Sequence, residues 1–229
     1  MKNFIYLILL MVFISSCSDS IDEEGNLDDF TKDSGSFIDE RDNQEYKWVK
    51  IGDQIWMAEN LAFMPSIRSI HDGSSNTEAR YFVYDYEGSS VAEAKVTENF
   101  ISYGVLYNWS AAIAAVPKGW HLPSESEWVE LKKFISDLEG NDSEVGKFLK
   151  SKSSWEENGN GIDEYGFAGK PGGINYGHTF GEIGLSGSWW STTQYGNYAF
   201  VCQLWSGDNN FSNNHLPIDF GFSIRCIKD

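Results

Sequence analysis

The sequence predicts an α+β domain on three observations. An alternating segment centred on a turn occupies residues 45–57, helical periodicity is confined to the middle of the chain, and the last third breaks into short apolar runs separated by Gly and Asn. Residues 45–57, EYKWVKIGDQIWM, read as a hairpin. Gly52 stands at the first position of a two-residue loop and suits a type II′ turn, which pairs Ile51 with Gln54 and Val49 with Trp56. From Pro65 to Asn99 the text loosens into a long connection holding one strand near RYFVYDY. Residues 103–116 regain a helical period, with Val105, Leu106, Trp109, Ala112, Ile113 and Val116 on one face, and Pro117 and Gly119 end that helix.

The stretch GWHLPSESEWVEL, residues 119–131, concentrates a histidine, two tryptophans and three glutamates. Its order reads as the seam where a strand turns into a helix. Trp120 to Pro123 is extended, Ser124 is a good N-cap, and Glu127 three residues later completes a capping box. Trp128, Leu131, Ile135 and Leu138 then form the buried face, and Gly140 ends the helix. Acids in the first turn match the positive end of the helix dipole. A further short helix is expected over Glu144 to Lys150. Beyond it, SGSWWSTT, AFVCQLW, SGDNNFSNN and DFGFSIRCIKD read as short strands with turns between them. The expected architecture is two or three helices packed on twisted antiparallel sheets, with a β-rich C-terminal half.

The N-terminus carries a different message. Lys2 precedes an apolar run from Phe4 to Ile14, too short for a bilayer span of roughly 20 residues and suited to an export signal. Ile14-Ser15-Ser16-Cys17 reads as a lipobox, which makes Cys17 the acylated first residue after cleavage; an ordinary signal peptide with an incidental cysteine is the alternative. Residues 17–35 hold seven Asp or Glu against one Lys and read as a solvated tether, or as an acidic surface-export signal. The folded domain is expected over 36–229. Removing residues 1–16 takes away only Lys2 and moves the net charge from −17 to −18. So acidic a surface repels nucleic acid and anionic headgroups, leaving the lipid anchor as the expected membrane contact. Location at the outer membrane of a Gram-negative bacterium follows as an expectation.

Residue chemistry points away from catalysis. His71, His121, His178 and His215 are scattered without metal-ligand spacing, and no nucleophile elbow occurs. Asp163 and Glu164 are adjacent, so their side chains diverge. The loop Asn158 to Glu164 offers oxygen donors that a calcium ion accepts, without the regular spacing of an EF-hand; turn formation is the preferred reading, and no cofactor is expected. Binding is better supported. The segment from Trp205 to His215 interleaves rings with short polar groups: Trp205 and Phe211 with Asp208, Asn209, Asn210, Asn213, Asn214 and His215. Such a loop suits a neutral glycan or a protein partner of the envelope, with a structural scaffold as the competing role.

The chain resembles the Fibrobacter succinogenes major paralogous domain family. The motifs that carry the resemblance are VKIGDQIWMAENL, YGVLYNWSAA, PKGWHLPSESEWVEL, LKSKSSWEENGNGIDEYGFAGKPGG, FGEIGLSGSWWSTT and DFGFSIRCIKD, in order from about Gly35 to Asp229. The resemblance implies a bacterial surface or secreted protein, often a lipoprotein, with no established activity. The helix start at GWHLPS and the WWS strand look like those of C-type lectin-like folds, an architecture shared with formylglycine-generating oxidases and retroelement-diversified binding proteins. In the latter, late loops corresponding to residues 205–215 carry recognition. Val116 stands where the family usually has a cysteine that would partner Cys226. This chain has Cys202 instead, so a Cys202–Cys226 disulfide is the expectation for an exported domain, with two buried free thiols as the alternative. The same two cysteines, 24 positions apart, superficially resemble the oxidase pair, which leaves oxidase chemistry as a remote alternative.

Overall fold

A computed structural model describes residues 33–229. Residues 1–32 lie outside the described residues, and with them the predicted signal peptide, Cys17 and most of the acidic tether. Strands β1 (Ser34–Asp39), β2 (Gln44–Ile51) and β3 (Gln54–Met57) open the fold. Ser34 and Gly35 are thus strand residues and not tether, because their backbones pair with Val49 and Trp48. The Gly52 turn has the predicted register, Ile51 opposite Gln54 and Val49 opposite Trp56, and Gly52 carries the positive φ of 61° that a β-branched residue would resist.

The connection that follows is long, as expected, but not structureless. It holds β4 (Tyr81–Phe82) and two short helices, α1 (Val91–Ala94) and α2 (Glu98–Tyr103), capped by Ser90 and Thr97. The expected helix over 103–116 is corrected. Leu106–Tyr107 forms strand β5 against β4, and helix α3 covers only Trp109–Ala114. Asn108 explains the shift, since its Oδ1 accepts from Ala111 N and starts the helix there. Ile113, expected on the buried face, is 42% exposed.

Strand β6 (Trp120–His121) and helix α4 (Glu125–Glu139) follow, then α5 (Val145–Leu149). Trp128, Leu131 and Ile135 are buried as predicted, whereas Leu138 is 55% exposed because the last turn of α4 runs past the core. The β-rich half comprises β7 (Gly172–Asn175), β8 (Phe180–Ile183), β9 (Ser186–Tyr195), β10 (Tyr198–Trp205), β11 (Ser212–Pro217) and β12 (Ile227–Lys228). One sheet has the order β1-β2-β3-β12-β6, so the chain's last strand closes between the opening hairpin and the seam before α4. A second sheet runs β11-β10-β9, and all named strand pairs are antiparallel.

The second sheet separates two apolar clusters. Adjacent residues of a strand face opposite ways, so Trp190 joins one cluster with Tyr107, Phe222 and Val201, while Trp189 joins the other with Trp56, Trp128 and Phe200. Both indoles are fully buried and both find acceptors, Trp189 Nε1 at Asn60 Oδ1 (2.9 Å) and Trp190 Nε1 at Tyr107 O (2.6 Å). The same alternation separates the cysteines. Cys202 packs in the Trp189 cluster and Cys226 in the Trp190 cluster, both as free, buried thiols, so the expected Cys202–Cys226 disulfide is corrected. Among the described residues no helix is long and apolar enough to cross a membrane.

Candidate functional site

The seam at residues 119–131 is built from local hydrogen bonds. Ser124 Oγ accepts from Glu127 N, and Glu127 Oε2 accepts from Ser124 N at 2.7 Å, which completes the predicted capping box. His121 Nε2 lies 2.8 Å from Glu127 Oε1 and its Nδ1 lies 2.8 Å from Asp229 Oδ1. Partial burial disfavours the imidazolium, but the hydrogen bonds to Asp229 and Glu127 outweigh it and raise the His121 pKa. Burial likewise acts to raise Glu127, while bonds from Ser124 and His121 pull it below the usual carboxylate value. The cluster therefore joins β6, β12 and α4 electrostatically.

The predicted binding segment divides into two parts. Its first half is stapled to α5. The buried Lys150 ammonium donates to Trp205 O (3.1 Å) and Asp208 O (2.7 Å) and lies 5.4 Å from the centre of the Trp155 ring. Burial lowers its pKa, and the charges of Asp208 and Glu144 offset only part of this. Gly146 N donates to Asn209 O at 2.7 Å, Asn209 Nδ2 donates to Glu144 Oε2 at 3.0 Å, and Asn210 N donates to Asp208 Oδ1 at 2.8 Å. Phe211 is buried with its ring 6.0 Å from Trp128. Trp205 is half-buried, while Asp208 and Asn210 remain exposed. Phe211 and Asn209 serve the fold here.

The second half is open. Asn213, Asn214 and His215 are exposed on β11, the edge of its sheet. His215 stands opposite Phe200, and Asn213 opposite Cys202, so the two share one face of the sheet. The His215 ring meets Tyr195 at 4.8 Å, edge to face. Tyr195 pairs directly with Tyr198 across the Gly196-Asn197 turn, and the two tyrosines are 57% and 51% exposed. Sequence reasoning passed over these rings. The signal was present as Tyr-Gly-Asn-Tyr, a two-residue turn with a ring on each side, where a solvent-facing hairpin tip is expected.

The other candidates recede into structure. Both thiols are fully buried and pushed up in pKa, Cys202 by burial and the charge of Glu125, Cys226 by burial against only partial relief from Arg41. Such thiols are poor nucleophiles. In the Asn158–Glu164 loop, Asn160 Oδ1 accepts from Trp155 N and Asp163 Oδ1 from Ala168 N, so these oxygens shape the turn. No group of three or more His, Cys, Asp or Glu placed to hold a metal occurs among the described residues.

Comparison with known proteins returns no curated relative and no solved structure. The sequence model of one family, the Fibrobacter succinogenes major domain, matches residues 49–228, which run from within β2 to the closing strand β12. The chain belongs to the Fibrobacter succinogenes major domain family.

Proposed function

We propose that this chain is a non-catalytic binding module of the bacterial cell envelope, of C-type lectin-like architecture, that takes a neutral glycan on the open face formed by β11 and the β9–β10 hairpin. The observation that carries this reading is the grouping of Tyr195, Tyr198 and His215 with the amide of Asn213 on one exposed surface. Flat rings accept sugar faces, and short amides form directional hydrogen bonds at little rotamer cost. Net acidity favours a neutral ligand. The buried, protonated thiols support a module without oxidase chemistry. A helix-bearing α+β body whose last strand closes beside the first hairpin supports the lectin-like architecture. Attachment to the outer membrane through an acylated Cys17 rests on the lipobox pattern; loss of acyl labelling in Cys17→Ala tests it.

A glycan array tests the binding reading. Saturable binding of an uncharged oligosaccharide, lost in a folded Tyr195→Ala, Tyr198→Ala double variant, is the expected outcome. Binding that survives in the double variant removes this face from consideration. A folded protein that binds no sugar but captures an envelope protein replaces the glycan reading with a scaffold role.

A further inference from the structure

Away from β11, two adjoining cavities of about 540 and 550 Å³ share Lys47, Ala58, Glu59 and Gly166. The second is walled by α2, by the segment after Asn60, and by the loop that carries Asp163 to Lys170. Its floor holds Arg225, which is fully buried. The guanidinium donates to Asn60 Oδ1 (3.0 Å), Met57 O (3.4 Å), Ala168 O (2.8 Å) and Phe167 O, and it lies 4.2 Å from the centre of the Phe167 ring. These partners are neutral oxygens, and a guanidinium has five donors, so a further N–H remains. Lys170 also lines the cavity and donates to Ser102 O at 2.8 Å, with two further ammonium donors. Burial and the charge of Arg225 lower the Lys170 pKa against the opposing charge of Glu59, and burial brings Arg225 to about 9 although the charges of Asp163 and Glu59 act to raise it. A half-buried ammonium and a fully buried guanidinium therefore line one cavity in a molecule whose net charge is −17.

We propose that this cavity binds a small, singly charged carboxylate bearing hydroxyl groups, of the hexuronic acid class. Lys170 and Arg225 would receive the carboxylate, which relieves the repulsion between the half-buried ammonium and the buried guanidinium. The charge count sets the valence. Lys47, Lys170 and Arg225 line the cavity against Glu59 and Asp163, an excess of one positive charge, which matches a monoanion better than a phosphate carrying two. Hydroxyls find partners in the same cavity at the side chains of Gln44, exposed, and Ser102, half-buried. The half-buried Tyr103 supplies a ring beside these groups. A cavity of about 550 Å³ is in the range of small-molecule sites. The site shares no residue with the β11 face, so it stands independently of the reading proposed for that face.

The test is isothermal titration of the full-length protein with glucuronate, glucose, acetate and inorganic phosphate at low salt. Glucuronate should bind at least about tenfold more tightly than glucose and acetate, as loss of a charged hydrogen bond or of several hydroxyl contacts implies. Lys170→Gln should weaken glucuronate by about tenfold or more, and Glu59→Gln should strengthen it severalfold by removing a like charge. Glucose binding equal to glucuronate overturns the carboxylate, acetate equal to glucuronate overturns the hydroxyl recognition, and tighter phosphate overturns the valence. If Lys170→Gln does not fold, unchanged glucuronate affinity in folded Glu59→Gln overturns the placement.

Discussion

His121 Nε2 lies 2.8 Å from Glu127 Oε1, and this contact ties the end of β6 to the first turn of α4. The pair predicts a pH window. The raised His121 pKa stabilises the fold fully below the ordinary histidine value of 6.5, and that contribution is lost as pH rises through the folded value. The lowered Glu127 pKa contributes above the ordinary value of 4.5 and is lost as pH falls through the depressed one. The destabilisation caused by His121→Ala should therefore be largest between 4.5 and 6.5 and shrink in alkaline solution. Both side chains are about a third exposed, so solvent screening keeps the effect modest. Urea midpoints of both proteins across this range decide it. A difference that stays constant into alkaline pH refutes the coupling.

Helix α4 offers a comparison of local and packing terms. Ser124→Ala removes the N-cap and should cost about 1 kcal/mol. Trp128→Ala empties a fully buried site against Trp56, 4.6 Å away, and should cost about 3–5 kcal/mol. The Trp128 indole N–H has no hydrogen-bond partner, so Trp128→Phe should cost well under half of the alanine loss. Chemical denaturation gives all three, and equal losses for Phe and Ala would contradict the packing account.

The staple beneath residues 205–211 is open to mutation. A Cβ on Gly146 would stand 2.7 Å from both Asn209 O and Asn210 O, so Gly146→Ala must push this loop away from α5. Lys150→Met deletes the donor to Trp205 O and Asp208 O. Each change should cost about 1–3 kcal/mol, and each should speed amide exchange at Gly146 and Asn210. Wild-type exchange at those amides in both variants would show that the loop is held by other means.

Val116 packs against the cluster that contains Cys226, at the position where the family resemblance implies a cysteine. Val116→Cys is predicted to oxidise to a bond with Cys226 and to leave Cys202 free. Mass spectrometry of the alkylated, protease-digested protein reads the pairing directly. An alkylated Cys226 under oxidising conditions would exclude the necessary geometry.

At the β11 face, a neutral ligand forms few ion pairs, so affinity should change little between low and high salt. Binding in the glucuronate cavity should instead weaken as salt rises. Titrations of a neutral array hit and of glucuronate over the same salt series separate the two; a strong salt dependence for the array hit would deny its neutral recognition.

Short-range signals in the sequence carried the hairpin at Gly52, the capping box at Ser124, the ends of α4 and the short helix α5. Each depends on φ preference or on hydrogen bonds within a few residues, so a local reading suffices. Leu106 misled that reading because its apolar neighbours fit a helix as well as a strand, and only pairing with Phe82 selects the strand. Phe211 and Asn209 looked like recognition residues, but contacts with Trp128 and Glu144, distant in sequence, turn them inward. The open face survives in Asn213 and His215, Tyr195 and Tyr198 join it through strand pairing, and Asn214, opposite Val201, lies on the other face of the sheet. Arg225, in the terminal RCIKD, gave no local sign of a cavity. Sequence by itself determined the family, the α+β class and the local turns. Tertiary structure decided which rings are buried, which cysteines stay apart and which cations face a cavity, because burial is set by partners that the chain brings together from afar.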